Sequence, residues 1–426
     1  MKELLKKILK FFAQAIVKKY SPEIIGITGS VGKTTTKEAI YQVLSSNYDV
    51  RRNLKNYNNE IGVPLTVIGV TTTGGRSIFK WLGIFLKAIF LLITTDKNYP
   101  KILILEMGAD HPGDIKYLTN LLPVKVGVVT AVAPAHTEFF ENISQLADEK
   151  SNLVKSLPAF GTAVLNADDP RVFHMGSQTK AKVVTFGQAQ GSDIYASDVW
   201  ISSDINHMKG LSFKVTDQGL TETVELPNIF GRHFVTSILA AIAVGRVFDL
   251  DLITVIKSLK DFEPPKGRMK LIPGIKNTFI IDDTYNSSPK AASEALGQLA
   301  SIKTDEGRKF AVLGDMLELG VETEQLHAET GKKAALAGVD YLVTVGEISR
   351  DIVRGAVASG LPEDRCFNFK SSQEAGLFLQ NRIKPGDLLL VKGSQNTRME
   401  HVVKELMANP EKASELLVRQ EKPWIK

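Results

Sequence analysis

Short apolar runs rich in β-branched residues alternate, from about residue 24 onward, with longer stretches whose apolar positions recur at the helical period. This alternation is typical of α/β proteins, in which helices connect neighbouring parallel strands. The stretch HFVTSILAAIAVGRVF is apolar on every side and predicts a buried helix. The predicted strands are EIIGIT, KILILEM, KVGVVTAV, GTAVLN and KVVTFG, and later TFIIDDTYN, KFAVLGDM, YLVTVG and DLLLVKGS. We therefore predict an α/β protein built on a mostly parallel sheet.

Paired prolines, Pro264 and Pro265, separate the two sets of strands and predict a linker between domains. After the linker, strands alternate with helices such as SPKAASEALGQLAS and TRMEHVVKELM, which predicts a second, Rossmann-like α/β domain. We expect three parts: a basic amphipathic helix over residues 1–21, a central domain over residues 22–264 and a C-terminal domain over residues 265–426.

Two apolar segments raise the question of a membrane. The first, residues 1–20, places apolar side chains on one helical stripe and lysines on another, which is typical of an amphipathic helix. The second, residues 78–93, is interrupted by Lys80 and Lys87 and is shorter than the ~20 apolar residues that a spanning helix needs. We expect neither segment to cross a bilayer. Two interpretations stay open for both segments: packing on the body of the protein, or docking at a membrane surface.

Composition narrows the class of protein only slightly. The chain has 426 residues, enough for two or three domains, and its formal net charge of +5 gives no case for a nucleic-acid partner. Cys366 is the single cysteine, so an intrachain disulfide and a cysteine-cluster metal site are both excluded. Such a chain fits a reducing compartment, and we expect it to be cytoplasmic.

The sequence IIGITGSVGKTTTKEAI combines an apolar strand, a glycine loop and the start of a helix near Lys33. Backbone N–H groups at such a helix start hold phosphate oxygens, the lysine adds a positive charge, and the hydroxyl of Thr34 is placed to bind Mg²⁺. The strict phosphate-loop pattern has glycine where this chain has Ile27, so an ordinary glycine-rich turn is the alternative. The predicted nucleotide-binding residues are Gly29, Ser30, Val31, Gly32, Lys33, Thr34 and Thr35.

Two further predicted strands end in residues with metal-binding or catalytic chemistry. KILILEM delivers Glu106 to the carboxyl edge of the sheet, where open α/β sheets bind ligands and where an acidic residue is the usual second anchor for Mg²⁺. A solvated loop carboxylate is the alternative for Glu106. KVGVVTAVAPAHTEFF delivers His136 to the same edge, either as a catalytic or metal-binding residue or as a structural one.

Many stretches along the chain recur in one known family in the same order. They are GITGSVGKTTTKE, NNEIGVPLTV, EMGADHPGDI, AHTEFF, LNADDP, FGRH, PPKGRM, DDTYNSSP, VLGDMLELG and LLVKGS. From about residue 22 to its end, the chain thus resembles the Mur ligase family of ATP-dependent amide-bond ligases. The phosphate loop of this family reads T-G-x-x-G-K-T, which accommodates Ile27.

The resemblance implies a reaction and its cofactors, ATP and Mg²⁺. ATP phosphorylates a substrate carboxylate, and an incoming amine then displaces phosphate from the acyl phosphate through a tetrahedral intermediate. Lys33 would clamp the phosphates, while Thr34 and Glu106 would hold one Mg²⁺. His136 matches a histidine near a second Mg²⁺. Lys150 matches a lysine that many members carry as a carbamate, although without the resemblance it would be a surface lysine on a helix.

The resemblance extends to the C-terminal domain, where Arg268, Asp283 and Asn286 would contact ATP when the two domains close. Two features depart from the family. Phe234 and Ser237 stand where asparagines near the adenine are usual, and Phe234 is a candidate to stack on the base. Only about twenty residues precede the first strand, so we expect the family's N-terminal UDP-sugar-binding domain to be absent.

The stretches DDTYNSSP, VLGDMLELG and VKGS favour the branch of the family that adds D-alanyl-D-alanine, or a similar amine, to a carboxylated cell-wall precursor. Two alternatives stay open: a poly-γ-glutamate or folylpolyglutamate-type ligase, and a regulatory P-loop ATPase docked at a membrane. The expected partners are ATP, the precursor and the amine. We also expect membrane-surface contact through residues 1–20 and 78–93, which would place the protein at the inner face of the membrane.

Overall fold

The computed structural model describes residues 2–54, 57–71, 74–75, 77–133, 139–140, 142–201, 210–304, 306–421 and 424. Contacts within the chain divide it into two compact units. The first comprises Met1–Val199, Phe213–Val224 and His233–Phe262. The second comprises Trp200–Ser212, Glu225–Arg232 and Glu263–Lys426.

The first sheet has nine strands in the order β2-β3-β1-β4-β5-β6-β7-β8-β9. Their bounds are β1 Glu23–Thr28, β2 Val50–Arg52, β3 Ile102–Glu106, β4 Val126–Val129, β5 Thr162–Asn166, β6 Lys182–Gly187, β7 Ile194–Ile201, β8 Leu211–Asp217 and β9 Leu220–Leu226. All pairs from β2 to β7 are parallel, so β1 lies in the middle of a parallel sheet between β3 and β4. The predicted mostly parallel sheet is confirmed.

Helices accompany this sheet because most crossovers between its parallel strands carry one. Their bounds are α1 Lys2–Tyr20, α2 Lys33–Ser45, α3 Gly62–Ile68, α4 Ile78–Ile93, α5 Asp114–Leu121, α6 Ile143–Lys155, α7 Pro170–His174, α8 Phe234–Val247 and α9 Leu252–Leu259. Helix α8 is buried along nearly its whole length, as its apolar sequence predicts.

The second sheet has six strands in the order β10-β11-β15-β12-β13-β14. The pair of β10 with β11 is antiparallel and the other pairs are parallel, which confirms the predicted second α/β fold. The strand bounds are β10 Lys270–Gly274, β11 Thr278–Asp283, β12 Lys309–Gly314, β13 Tyr341–Val345, β14 Cys366–Phe369 and β15 Leu388–Lys392. The helix bounds are α10 Pro289–Ser301, α11 Thr323–Leu336, α12 Arg350–Ala358, α13 Ser372–Arg382, α14 Glu400–Leu406 and α15 Ala413–Leu416.

Helix α1 packs on the body of the first unit. Leu9, Ala13 and Ile16 are fully buried in its core, so of the two interpretations of this helix the apolar stripe is used for packing. At the end of α1, the Lys19 ammonium donates a hydrogen bond of 2.9 Å to the carbonyl of Leu91 in the last turn of α4. The last carbonyls of a helix have no partner inside it, so this lysine satisfies one of them and ties the two helices together. Among the described residues, no helix combines the length and the apolar character needed to cross a membrane.

Candidate active site

The loop between β1 and α2 depends on two glycines with left-handed backbone angles. Gly29 has φ +148° and Gly32, the N-cap of α2, has φ +82°. A Cβ on Gly29 would lie 2.0 Å from Thr130 Oγ1, so no larger residue fits there. The residue that follows strand β4 holds the loop, because Thr130 Oγ1 donates a hydrogen bond of 2.6 Å to the Val31 carbonyl. The loop therefore has a fixed conformation where it enters α2. The N–H groups in the first turn of α2 have no partner inside the helix and are available to a ligand.

Polar groups of the loop suit an anion. The Lys33 ammonium donates to the carbonyls of Gly29, at 2.8 Å, and Ser30, at 3.3 Å, so its charge lies over the loop. Among the described residues, the buried hydroxyl oxygen of Ser30 has no hydrogen-bond partner. A buried polar atom without a partner is costly, and a phosphate oxygen would supply one. These observations fit the predicted phosphate-binding loop better than an ordinary glycine-rich turn.

Thr34 and Glu106 lie together at the carboxyl edge of the sheet. The Thr34 hydroxyl donates a 3.0 Å hydrogen bond to Glu106 Oε2, and Asn58 Nδ2 donates a 3.3 Å bond to Glu106 Oε1. Glu106 is only 4 % exposed, so the alternative of a solvated loop carboxylate is wrong. A hydroxyl and a carboxylate this close provide the hard oxygen ligands that Mg²⁺ prefers, and the pair fits the predicted metal site.

Two residues that the sequence motifs did not single out support Glu106. The side-chain amide of Asn53 pairs with the Glu106 backbone: Asn53 Oδ1 accepts from the Glu106 N–H at 2.9 Å, and Asn53 Nδ2 donates to the Glu106 carbonyl at 3.3 Å. Lys37 is buried, and its ammonium donates a hydrogen bond of 2.8 Å to the Asn53 carbonyl. The same ammonium lies 3.8 Å from Glu106 Oε2. Lys37 follows Lys33 by one helical turn and so lies on the same face of α2, which is the feature of the sequence that could have indicated its place near the site.

Lys150 is buried at 2 % exposure on α6, although the sequence pattern alone predicted a surface lysine. Burial, with a smaller contribution from the positive charge of Lys33, lowers the pKa of Lys150 to about 7. Near neutral pH, a large share of this amine is therefore uncharged and nucleophilic. The adjacent Glu149 is engaged elsewhere, because its carboxylate accepts hydrogen bonds of 2.8 and 2.7 Å from the N–H groups of Gly113 and Ile115.

His136 lies outside the described residues, so its predicted role has no structural counterpart here. Within the described part of the chain, no three His, Cys, Asp or Glu side chains cluster tightly enough to hold a metal by themselves. A metal at Thr34 and Glu106 would therefore take its remaining ligands from water and from bound phosphates, as is usual for Mg²⁺ in nucleotide sites.

Ser237 and Phe234, which replace asparagines expected near the adenine, lie in the first turn of α8. A Cβ on Gly32 would lie 3.5 Å from Ser237 Oγ, so Ser237 borders the loop. The Phe234 ring is 1 % exposed and contacts the ring of His233 at a centroid distance of 4.3 Å. In this arrangement Phe234 belongs to the core, and stacking on a base stays a prediction.

The second unit brings together the other predicted ATP contacts. Asp283 ends β11 in register with Lys392 at the end of β15. The Lys392 ammonium donates a hydrogen bond of 2.6 Å to Asp283 Oδ2 and one of 3.0 Å to the Asn286 carbonyl. The Arg268 guanidinium lies over the ring of Tyr285 at 3.9 Å. Lys392 was missed as a site residue, although VKGS is one of the matching stretches.

A glycine loop at a helix start, a lysine over it, and a paired threonine and glutamate on a parallel sheet define a P-loop nucleotide-binding protein. The family model of the Mur ligase middle domain matches residues 27–77 and 86–245, and that of the Mur ligase, glutamate ligase domain matches residues 267–395. The chain belongs to the Mur ligase family.

Individual relatives agree with this assignment. The UDP-N-acetylmuramoyl-tripeptide–D-alanyl-D-alanine ligase of Bacillus subtilis is 30 % identical over 403 residues, which cover 94 % of this chain and 79 % of that protein. The enzyme of the same name from Escherichia coli is 30 % identical over 388 residues, which cover 91 % of this chain and 77 % of that protein. The MurF ligase of Thermotoga maritima in complex with ADP superposes with a TM-score of 0.76 at 26 % identity, covering 96 % of this chain and 84 % of that one. A crystal structure of MurF from Acinetobacter baumannii superposes with a TM-score of 0.77 at 25 % identity. The match covers 94 % of this chain and 79 % of that one.

Proposed function

We propose that this protein is an ATP-dependent, ADP-forming ligase that joins D-alanyl-D-alanine to the carboxylate of a UDP-N-acetylmuramoyl-tripeptide. The observation that carries the proposal is the 3.0 Å contact between Thr34 and Glu106 behind the phosphate loop, in a chain of this family. The names of the matched relatives support this substrate pair over a folylpolyglutamate-type or a purely regulatory role.

The chemistry needs ATP because a carboxylate is a poor electrophile at neutral pH. Transfer of the γ-phosphoryl group to a carboxylate oxygen gives an acyl phosphate, and attack by the amine expels phosphate and leaves an amide. The loop N–H groups and Lys33 bind the phosphates and stabilise the charge that develops during transfer. Mg²⁺ held by Thr34 and Glu106 would neutralise charge on the phosphate oxygens. Asn53 fixes the Glu106 backbone in position, and Lys37 places a positive charge 3.8 Å from its carboxylate.

We further propose that Lys150 carries a carbamate. A neutral amine adds to CO₂ to form an N–C bond, releasing one proton to solvent and leaving an anionic carboxylate at the end of the side chain. The pKa of about 7 for the buried Lys150 supports this step, because the uncharged amine is already available near neutral pH. The positive charge of Lys33, close enough to influence Lys150, favours the anionic product. The carbamate oxygens and His136 would then serve a second Mg²⁺.

In the second unit, we propose that Arg268, Asp283 and Asn286 contact ATP. The ion pair of Asp283 with Lys392 supports this assignment, since it fixes the carboxylate at the carboxyl end of a parallel strand. We also propose contact with the membrane surface at the inner face of the membrane. Since the apolar stripe of α1 is used for packing, the surface of residues 78–93 is the better candidate.

The test is a reconstituted reaction with ATP, UDP-N-acetylmuramoyl-tripeptide and D-alanyl-D-alanine, followed by phosphate release and mass analysis of the product. We expect one ADP and one phosphate per amide formed, and no phosphate release when the dipeptide is omitted. Product formation with glutamate on a folate substrate, or ATP hydrolysis independent of both substrates, would contradict the proposal.

A further inference from the structure

The outer face of α4 exposes large apolar side chains along its whole length. Ile78, Phe79 and Ile93 are 81 %, 86 % and 78 % exposed, values typical of surface lysines rather than of isoleucine and phenylalanine. The other large apolar residues exposed on this helix are Leu82, Leu86, Ile89 and Phe90. A contiguous apolar face of this kind on a folded unit marks an interaction surface.

The inner face of α4 fixes which side chains point outward. Ile84, Ala88 and Leu91 are buried in the core of the first unit, and Phe85 stacks on Phe12 of α1 with ring centroids 5.9 Å apart. Lys19 and Tyr20 of α1 hydrogen-bond to the last turn of α4. Because the helix is anchored along one side, its outer face is a fixed strip. With 16 residues the strip is about 24 Å long.

Positive charge lies along one flank of the strip. Helix α4 contains Lys80 and Lys87 and no acidic residue. These two lysines lie about two turns apart on one flank of the apolar face. Together, α1 and α4 carry eight lysines and one acidic residue, and on α1 the exposed residues include Leu4, Lys7 and Phe11. An apolar strip bordered by lysines is the pattern of a helix that lies in a membrane interface.

We propose that the outer face of α4 is a membrane-docking surface, which binds an anionic lipid bilayer with the helix axis in the plane of the interface. The apolar side chains enter the boundary between headgroups and acyl chains, while the exposed Lys7 and Lys80 contact anionic headgroups. Helix α1 acts as a support that holds α4 in place. This function is separate from the ligase reaction, which uses none of these side chains.

Charge favours a bilayer over a second copy of the chain. A two-fold contact through α4 would place one lysine-bordered strip against another, and like charges would oppose each other across the interface. Residues 78–85, the first half of α4, also fall in the gap of the match to the Mur ligase middle domain. The exposed start of the helix is therefore additional to the part of the domain that the family model describes.

Vesicle co-sedimentation tests the proposal with the full chain. Vesicles of phosphatidylglycerol and phosphatidylcholine should bind the protein, with affinity falling as salt rises, and vesicles of phosphatidylcholine alone should bind it less. The variant Leu86→Ser with Phe90→Ser should lower the affinity at least about tenfold, because each lost side chain removes apolar burial. The matched control is Val321→Ser with Leu336→Ser, two residues that are also exposed, at 103 % and 73 %. It should bind as the unchanged protein does.

A second variant separates lipid recognition from folding. Lys7→Glu with Lys80→Glu leaves the apolar face intact and should also weaken binding to anionic vesicles. Ligase activity without vesicles should stay unchanged in every variant, which shows that the fold is kept. No binding at low salt, equal binding of all variants, or a dimer in solution that the Leu86→Ser and Phe90→Ser changes dissociate would overturn the proposal.

Discussion

The hydroxyl of Thr34 and the carboxylate of Glu106 meet at 3.0 Å although 72 residues separate them in the sequence. The parallel pairing of β1 with β3 produces this contact, because Ile27 near the end of β1 lies opposite Glu106 at the end of β3. The helix that follows the loop then turns Thr34 back over the same edge. The contact thereby brings together two oxygen groups of different chemical type, which the proposed Mg²⁺ site would use as ligands.

Removing either oxygen should abolish ligation. We expect Thr34→Ala and Glu106→Gln each to lower kcat at least about 100-fold, because each takes away a ligand for the metal that neutralises the phosphates. Thr34→Ser keeps the hydroxyl and should retain most activity. Phosphate release at saturating ATP over a range of Mg²⁺ concentrations measures this. Unchanged activity in Thr34→Ala would show that the pair does not hold the metal.

Lys37 should act through Glu106. Lys37→Met preserves the length of the buried side chain but removes the ammonium 3.8 Å from Glu106 Oε2. The carboxylate would lose a neighbouring positive charge, and we expect the Mg²⁺ concentration for half-maximal activity to change by about tenfold and kcat to fall. The exposed Lys116→Met is the control. A loss of folded protein without a shift in Mg²⁺ dependence would indicate a purely structural role.

The proposed carbamate on Lys150 can be tested by its ¹³C signal. If the carbamate forms, protein equilibrated with ¹³C-labelled bicarbonate should show a carbamate carbon signal that disappears in Lys150→Ala. Because the pKa of Lys150 is about 7, the uncharged amine, and with it the carbamate, should increase as pH rises from about 6 to 8.

Activity gives the second readout for Lys150. Lys150→Ala should be inactive in buffer free of bicarbonate and should recover partly when a short carboxylic acid replaces the missing carboxylate. An equally strong ¹³C signal in the variant, or full activity without rescue, would refute the carbamate.

Asp282 should make stability depend on pH. Full burial raises the pKa of this carboxyl to about 6 in the folded protein from its ordinary value of 3.8. A raised folded pKa means that the folded state binds the proton more tightly, so this contribution to stability is complete below pH 3.8 and is lost as pH rises through about 6. The change amounts to on the order of 2–3 kcal/mol.

The Asp282→Asn variant has no carboxyl group that can titrate at this position. The variant should be more stable than the unchanged protein at pH 7, and the difference should shrink towards pH 4. Thermal unfolding across this range measures it, with the exposed Asp364→Asn as the control. A stability difference that is constant over pH would show that Asp282 does not titrate in this window.

The sequence was sufficient to predict the central strands and the groups at their ends. Strand β1, the glycine loop and Glu106 follow from local patterns, because an apolar run fixes the strand and the next polar residue must lie at its edge. Six strands were not predicted, because polar residues or proline interrupt the apolar run in each of them: β2, β7, β8, β9, β10 and β14.

The supporting residues could not be predicted in the same way. Asn53 contacts Glu106 only because β2 lies beside β3, which is a matter of strand order rather than of local sequence. Lys150 looked like a surface lysine because a charged residue at a helical position is usually exposed, and its burial depends on how α6 packs on the sheet. The lysines on α4 argued against a spanning helix but left packing and membrane docking open, and the sequence did not show which apolar side chains of α4 are exposed.

The most direct test of the central claim follows an oxygen atom. The substrate tripeptide is prepared with ¹⁸O in its reacting carboxylate and incubated with ATP, D-alanyl-D-alanine and the protein, and the released phosphate is analysed by mass. If the carboxylate attacks ATP and phosphate leaves from the acyl phosphate, each phosphate must carry one ¹⁸O from the substrate, and Lys33→Ala must release almost none. Phosphate that contains no ¹⁸O would mean that water attacks ATP, and would contradict ligation through an acyl phosphate.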